Sequence, residues 1–165
     1  MREPQARAPR YAVAMPELLH QFLSPAEVLE LQAMAAAATD GWAPGRQATG
    51  YDILPLRARL AGSPVLARAL AKIGTPFEDY WDAYFIRYLE GARIPSHVDP
   101  ALHGKHHRRL NAVLTQAASG GELFIAGVRV DLAVGDAVLF SPDRETHEVT
   151  AVGGSRLLFS VGAWL

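Results

Sequence analysis

The chain has 165 residues, of which 50% are apolar and 20% charged, with a formal net charge of −1. This size and composition predict one globular domain spanning residues 1–165, and the balanced charge argues against nucleic-acid or membrane partners. The sequence contains no cysteine, which excludes disulfides, zinc–thiolate sites, iron–sulfur clusters and thiol catalysis, so a metal site would have to use His, Asp and Glu.

The N-terminal stretch is basic and interrupted by prolines, and it predicts a flexible lead-in over residues 1–16. No apolar run in the sequence reaches the roughly 18 residues that a membrane-spanning helix needs. We therefore expect a cytoplasmic protein.

The first predicted helix covers Phe22–Ala38. Ser24 is the expected N-cap, Pro25 suits the first helical position, and Glu27 completes a capping box. Gly41 is expected to end the helix. An apolar stripe at helical spacing is predicted for Val28, Leu29, Leu31 and Ala35.

The next segments alternate between loop and regular structure. Gly41–Gly50, with a proline and three glycines, predicts a loop, and Tyr51–Leu56 predicts a short strand. A second helix is predicted over Ser63–Ile73, capped by Ser63, with Pro64 at its first position and Gly74 closing it.

From Trp81 onward the sequence predicts strands, since WDAYFIRYLEG is rich in aromatic and β-branched residues. The other candidate strands, separated by turn signals, are Arg93–Val98, Arg109–Gln116, Glu122–Ile125, Val128–Val130, Ala137–Phe140, His147–Val152 and Leu157–Val161. Helices first and strands after favour an α+β, mostly β domain. We expect a double-stranded β-helix, or jelly roll, with the N-terminal helices packed on one sheet.

The stretch Arg87–Pro100, RYLEGARIPSHVDP, contains His97 and Asp99. On a strand these two side chains would face the same side, because the side-chain period is two. With His147 they can form a 2-His-1-carboxylate triad, which leaves open positions on ferrous iron. Arg156 could pair with an anionic co-substrate. Each residue alone is more often a chance, surface or solvated residue, so the hypothesis depends on their joint order.

In this order the motifs resemble those of the Fe(II)/2-oxoglutarate-dependent dioxygenases, in the prolyl 4-hydroxylase-like branch. The resemblance covers most of the chain after Phe22, including the first predicted helix. The positions that carry it are Tyr88 and Gly91, His97 and Asp99, Arg109, Gly120-Gly121-Glu122, Gly135 and Phe140, His147 and Arg156.

The resemblance implies that His97, Asp99 and His147 bind Fe(II), and that Arg156 pairs with the far carboxylate of 2-oxoglutarate. It implies O2-dependent hydroxylation of an unactivated C–H bond, with succinate and CO2 as co-products. Related halogenases replace the carboxylate with a small residue, so the presence of Asp99 favours hydroxylation over halogenation. Desaturation and cyclisation remain alternatives.

Three further residues are candidate co-substrate contacts. Tyr88 is predicted either to line the pocket or to be a core tyrosine. Thr115 begins the segment Thr115-Gln116-Ala117, where this branch often has Tyr-Leu-Asn, and its hydroxyl would reach less far. Asn111 is predicted to share a strand face with Thr115. Trp164 is expected in the core or at the rim, without an assigned role.

The loop Asp99–Leu110 is rich in basic residues and histidines. A solvated basic loop is one interpretation and a zinc site a remote one. The functional interpretation is a substrate lid in which Lys105 and Arg108 favour an anionic substrate. Arg109 resembles the strand-leading Arg of the family, which implies that it faces the substrate. The histidines of the loop are His103, His106 and His107.

The predicted substrate is a small molecule, an amino acid or a carrier-bound intermediate, because the chain has no visible docking module. A peptidyl, prolyl-type hydroxylase is the nearest alternative. The alternative of another class is a catalytically silent jelly-roll binding module. A cupin is disfavoured because cupins usually show H-x-H with a following Glu, and a nucleic-acid substrate is disfavoured because no second Arg follows Arg156 closely.

Overall fold

The computed structural model describes residues 16–75, 81–102 and 104–165. Residues 1–15 of the predicted lead-in, and His103 of the basic loop, lie outside the described residues. Helix α1 spans Pro25–Ala37 and α2 spans Pro64–Ile73. In chain order the strands are β1 (Glu17–Leu19), β2 (Ala43–Pro44), β3 (Tyr51–Pro55), β4 (Trp81–Tyr88), β5 (Ile94–His97), β6 (His107–Thr115), β7 (Ser119–Gly120), β8 (Leu123–Ile125), β9 (Val128–Val130), β10 (Ala137–Phe140), β11 (His147–Val149), β12 (Val152–Gly153) and β13 (Arg156–Trp164).

Two antiparallel sheets make up the body of the domain. The larger sheet has seven strands in the order β1-β10-β6-β13-β4-β3-β2, and the smaller has four in the order β5-β11-β8-β9. Strands β7 and β12 form a separate two-stranded ribbon. Two facing sheets with helices on one of them match the jelly roll predicted from the sequence.

The helices pack against the outer face of the larger sheet. Leu31 of α1 and Leu66 of α2 belong to one apolar cluster with Leu110 of β6 and Phe159 of β13. A second cluster fills the space between the sheets, with Val113 and Leu158 on one side and Ile125 and Val149 on the other. Because side chains alternate along β6 and β13, these strands contribute to a core layer on each face of the larger sheet. The inner layer surrounds the cavity described below.

The predicted N-terminus of α1 is confirmed. The backbone N–H of Glu27 donates to the Ser24 hydroxyl over 3.3 Å, and the N–H of Ser24 donates to the Glu27 carboxylate over 2.8 Å. The helix ends at Ala37, one residue before the predicted Ala38, and the extended cap residue Ala38 ends it rather than Gly41. Leu29 is also misassigned: it lies off the stripe that faces the sheet and is 66% exposed.

Helix α2 begins after Ser63 and ends at Gly74, which adopts the left-handed conformation at φ +87°. The prediction of its ends is confirmed, although the Ser63 side chain makes no capping hydrogen bond. Neither helix in the described part of the chain is long and apolar enough to cross a membrane.

The strand predictions differ from the structure mainly at short or bent elements. The predicted strand His147–Val152 is divided into β11 and β12. Strand β13 runs to Trp164, three residues beyond its predicted end. Strands β1, β2 and β7 were not predicted, since two of them have only two residues and β7 lies in a Ser-Gly-Gly sequence that is typical of a turn.

Ser24 and Ser63 occupy the N-cap positions of the two helices, and only Ser24 caps through its side chain. They therefore give a matched test of side-chain capping. Ser24→Ala removes a capping box and should lower the free energy of unfolding by about 1 kcal/mol. Ser63→Ala removes no side-chain hydrogen bond and should have a clearly smaller effect. Urea denaturation of both variants measures the difference, and equal losses would contradict the capping assignment.

Candidate active site

His97, Asp99 and His147 meet at one edge of the smaller sheet. Each offers one ligand atom, and these three atoms lie within 4.8 Å of one another. His97 on β5 is the direct cross-strand partner of His147 on β11, and the ring centroids are 4.2 Å apart. The antiparallel pairing therefore brings together two histidines that are far apart in the sequence.

Asp99 reaches this group by a different route from the one predicted. Strand β5 ends at His97, so the two-residue alternation of a strand does not place Asp99. Its backbone N–H instead donates to the carbonyl of Pro142 over 2.7 Å. This bond holds the carboxylate so that its Oδ1 lies 3.3 Å from His97 Nε2.

Backbone carbonyls orient both imidazoles. His97 Nδ1 lies 2.8 Å from the carbonyl of Pro95, and His147 Nδ1 lies 3.1 Å from the carbonyl of Glu145. A carbonyl can only accept, so each Nδ1 carries the proton and each Nε2 keeps a lone pair for a ligand. Burial lowers the pKa of His147, which favours the neutral ring that a metal requires.

A loop that the sequence did not single out contacts these side chains. Arg46 forms an ion pair with Asp99 Oδ1. Gln47 Nε2 lies 2.8 Å from His97 Nε2, and the hydroxyl of Tyr51 donates to Gln47 Oε1. Burial raises the pKa of Asp99, but the charge of Arg46, its hydrogen bond to the carboxylate and the charge of Arg109 outweigh burial and hold this pKa below its usual value. Asp99 is therefore a carboxylate at neutral pH.

The three residues open into a cavity of about 530 Å³ between the sheets. This volume is typical of a small-molecule site. Its apolar wall comes from inward-facing residues of both sheets. They include Ile53, Ile86, Leu123, Phe140, Val149 and Leu158.

Arg156 lines the same cavity and is only 4% exposed. Its Nη1 donates to the carbonyl of Gly121 over 2.8 Å, while its Nε is buried without a hydrogen-bond partner. No carboxylate within residues 16–75, 81–102 and 104–165 forms an ion pair with it. Burial lowers the pKa of this guanidinium. A buried cation without a counter-ion is costly, which makes Arg156 suited to bind an anion from outside the chain.

Tyr88 and Asn111 also line the cavity. Tyr88 is the cross-strand partner of Arg156, it is 1% exposed, and burial raises its pKa to about 12. Both interpretations of Tyr88 therefore hold in the geometry, since it belongs to the inner core and to the cavity wall. Asn111 Oδ1 is buried without a hydrogen-bond partner among the described residues.

The structure does not bring Thr115 into the cavity. A register shift between Leu157 and Leu158 reverses the alternation at the end of β6. Thr115 is therefore opposite Leu157, which packs on the helix side, and its hydroxyl lies 3.2 Å from Gln32 Nε2 of α1. The prediction that Thr115 and Asn111 share a face is wrong for this reason.

The predicted substrate lid is also corrected. Arg108 points to the helix side of the larger sheet, where its Nη1 donates to the carbonyl of Ile73 at the end of α2 over 3.1 Å. Lys105 is not part of the cavity wall; its backbone pairs with Leu102. Arg109 does line the cavity, and its contact with the substrate stays a prediction.

Arg109 belongs to a polar group on the cavity wall. Its Nη2 donates to both carboxylate oxygens of Asp82, over 3.0 and 3.2 Å, and its Nη1 donates to the Ser160 hydroxyl over 2.8 Å. Tyr84 lies beneath the guanidinium, 5.5 Å from ring centroid to Cζ. Burial and the Asp82 charge raise the pKa of Tyr84 to about 12. This group is electrically balanced, so Arg109 is not a free cation.

Sequence reasoning missed several of these wall residues although a signal was present. Asp82 and Tyr84 alternate with apolar residues along β4 and therefore share the face of Tyr88. His107 precedes Arg109 by two residues on β6 and shares its face in the same way. Burial and the Arg109 charge lower the pKa of His107 to about 3. Arg46 and Gln47 lie in a loop, where no periodicity could have indicated them.

No protein-family model matches this chain, and no curated protein sequence matches it. Solved structures do match. A prolyl-4-hydroxylase from Pseudomonas putida is 21% identical, with a TM-score of 0.69 over 90% of this chain and 91% of that chain. EvdO2 from Micromonospora carbonacea var. aurantiaca, complexed with 2-oxoglutarate, is 18% identical, with a TM-score of 0.69 over 90% and 85% of the two chains.

A third match is the non-heme alpha ketoglutarate dependent epimerase SnoN from nogalamycin biosynthesis. It is 18% identical, with a TM-score of 0.66 over 89% of this chain and 76% of that chain. At such identities the similarity establishes the fold. The chain has the jelly-roll fold of the 2-oxoglutarate- and Fe(II)-dependent oxygenases, and the resemblance predicted from its sequence is confirmed at that level.

Proposed function

We propose that this protein is a 2-oxoglutarate- and Fe(II)-dependent oxygenase that hydroxylates an unactivated C–H bond. The observation that carries the proposal is one cavity with two features. At one place it holds His97, Asp99 and His147 in ligand geometry, and at another it holds the buried, unpaired cation of Arg156. Succinate and CO2 would be the co-products.

The donor set fits a ferrous ion. Two imidazole Nε2 atoms and one carboxylate are the ligands of the 2-His-1-carboxylate facial triad, which leaves positions open on the metal. His97, Asp99 and His147 would hold the ion. The carbonyls of Pro95 and Glu145 keep both rings in the required tautomer before any metal arrives.

The cavity fits a small dicarboxylate. The guanidinium of Arg156 presents a planar fork, which matches a carboxylate in a bidentate way. Its Nε has no acceptor among the described residues, and Asn111 Oδ1 has no donor. Arg156 would pair with the far carboxylate of 2-oxoglutarate, with Tyr88 as the adjacent wall.

When bound, iron, 2-oxoglutarate and O2 supply the oxidising chemistry, and the protein supplies position and surroundings. The ligand side chains fix the metal beside the cavity. The apolar residues of the two inner faces exclude water, which strengthens the attraction between Arg156 and a carboxylate. The part of the cavity wall around Arg109 would contact the substrate.

The substrate proposed is a small molecule, an amino acid or a carrier-bound intermediate. Arg109 is neutralised by Asp82, and Arg108 points away from the cavity. The preference for an anionic substrate that the basic loop suggested therefore loses its main support. A peptidyl substrate is the nearest alternative, because one protein of this fold is a prolyl-4-hydroxylase. Product analysis also separates hydroxylation from epimerisation, the reaction named for another protein of this fold.

Anaerobic titration with Fe(II) and 2-oxoglutarate tests the proposal. The wild-type protein should develop the weak visible metal-to-ligand charge-transfer band and should form succinate when O2 is admitted. His97→Ala and Arg156→Ala should lose both signals, since one removes a metal ligand and the other removes the carboxylate partner.

Two surface variants serve as controls. His106 and Arg129 have side chains that are 57% and 55% exposed, and their Ala variants should keep the band and the succinate. A wild-type protein with neither signal would overturn the proposal in favour of a catalytically silent binding module.

The position of the Arg156 side chain next to Gly121 can be tested without substituting the arginine. Gly121 and Gly127 both have positive φ, +66° and +75°, so Ala at either position carries the same backbone strain. Only at Gly121 would a Cβ meet other atoms, including Val152 Cγ2 at 3.2 Å and Arg156 Cδ at 3.5 Å. Gly121→Ala should therefore weaken 2-oxoglutarate binding to the Mn(II)-loaded protein by about tenfold.

Gly127→Ala is the matched control and should bind 2-oxoglutarate like the wild type. Isothermal titration calorimetry measures both affinities. Unchanged affinity in a folded Gly121→Ala variant would argue against Arg156 as the carboxylate partner.

A further inference from the structure

His107 occupies a fixed place between Asp99 and Arg109. The side chain is 3% exposed. Its Nδ1 lies 3.7 Å from Asp99 Oδ2, and its Nε2 lies 3.2 Å from Arg109 Nη2. The ring stacks on Trp164 with a centroid distance of 4.4 Å and an interplanar angle of 3°. The ring plane is therefore set by the stack, and among the described residues each nitrogen faces one charged side chain.

The guanidinium decides which nitrogen of His107 carries the proton. Arg109 can only donate, so Nε2 must accept and the ring proton must be on Nδ1. Arg109 itself is held in place by both oxygens of Asp82 and by Ser160. The protonated Nδ1 of His107 is consequently the ring nitrogen next to Asp99, 3.7 Å from Oδ2.

The local packing leaves room for this contact. Gly162 lies on β13 opposite Arg109. A Cβ at this glycine would lie 2.7 Å from Arg109 Nη2 and 2.8 Å from His107 Nε2. Any larger residue at this position would displace the side chains of Arg109 and His107, so their contact requires glycine at position 162.

The two oxygens of Asp99 have different neighbours. Oδ1 lies 3.3 Å from His97 Nε2 and forms the ion pair with Arg46, which a metal bound to this oxygen would replace, whereas Oδ2 faces His107. A donor on Oδ2 would stop the carboxylate from rotating and would leave Oδ1 as the ligand atom. The distance of 3.7 Å is longer than a hydrogen bond, and such contacts commonly tighten when the ligand binds.

We propose that His107 is a positioning residue for Asp99, with its tautomer set by Arg109. This inference depends on the proposed function, since it concerns the carboxylate that would bind iron. It adds a connection from Asp82 through Arg109 and His107 to Asp99, which joins the polar cavity wall to the metal ligands. Neither His107 nor Asp82 is a ligand in this account.

The tautomer can be measured in the unmodified, metal-free protein. Long-range ¹H–¹⁵N correlation spectra report which ring nitrogen of a histidine is protonated. At neutral pH, His107 should be the Nδ1–H form. An Nε2–H ring or a doubly protonated ring would overturn the proposal, whatever the metal does.

Two variants separate the roles of the nitrogens. The amide of Asn reaches the position of Nδ1, whereas that of Gln reaches the position of Nε2. In a Co(II) titration, His107→Asn should bind the metal within about threefold of wild type, and His107→Gln should bind it about 10–100-fold more weakly. His106→Asn, at the exposed neighbouring histidine, is the control and should match the wild type.

Equal Co(II) affinities for the Asn and Gln variants would overturn the positioning role, because a merely structural side chain would not distinguish donor positions. Circular dichroism checks that both variants are folded. A wild-type protein that binds no metal would instead refute the proposed function, while the tautomer measurement would still report on the contact between His107 and Arg109.

Discussion

The pairing of β5 with β11 is the constraint on which the site depends. It places His97 directly opposite His147, and the two rings then need only a carboxylate to complete a set of metal ligands. That carboxylate comes from Asp99, which a backbone hydrogen bond to Pro142 holds next to the strand end. Because backbone bonds position all three residues, the ligand geometry exists without the metal. Such preorganisation reduces the cost of binding, and a metal would replace the contacts of Arg46 with Asp99 Oδ1 and of Gln47 with His97 Nε2.

Arg156 adds the second requirement. Its charge is buried against Tyr88 and the carbonyl of Gly121, and within the described ranges no carboxylate neutralises it. A protein keeps an uncompensated buried cation at a cost to stability, and an anionic ligand removes that cost. One cavity contains both the candidate metal ligands and a cation that can bind a carboxylate. This combination favours a keto acid with a carboxylate at each end as the ligand. Arg109 differs from Arg156 because Asp82 neutralises the charge of Arg109. Arg109 is therefore suited to position other side chains of the cavity wall.

The sequence was sufficient to predict the helices, most of the strands and some of the residues that meet in the cavity, namely His97, Asp99, His147 and Arg156. Spacing predicted the capping box of α1, because it follows from the geometry of one element. It could not predict that Thr115 turns to the helix side, since the register shift depends on the pairing of β6 with β13. It also could not predict that Arg108 caps α2 or that Arg46 and Gln47 reach the ligands, because these contacts come from tertiary packing.

The central claim is that one cavity binds a metal and 2-oxoglutarate together. A crystal structure grown without oxygen in the presence of Mn(II) and 2-oxoglutarate tests it most directly, because anomalous scattering locates the metal. The account predicts a single strong peak bound by His97, Asp99 and His147, with the far carboxylate of 2-oxoglutarate on Arg156. A metal bound elsewhere, or 2-oxoglutarate bound without contact to Arg156, would contradict it.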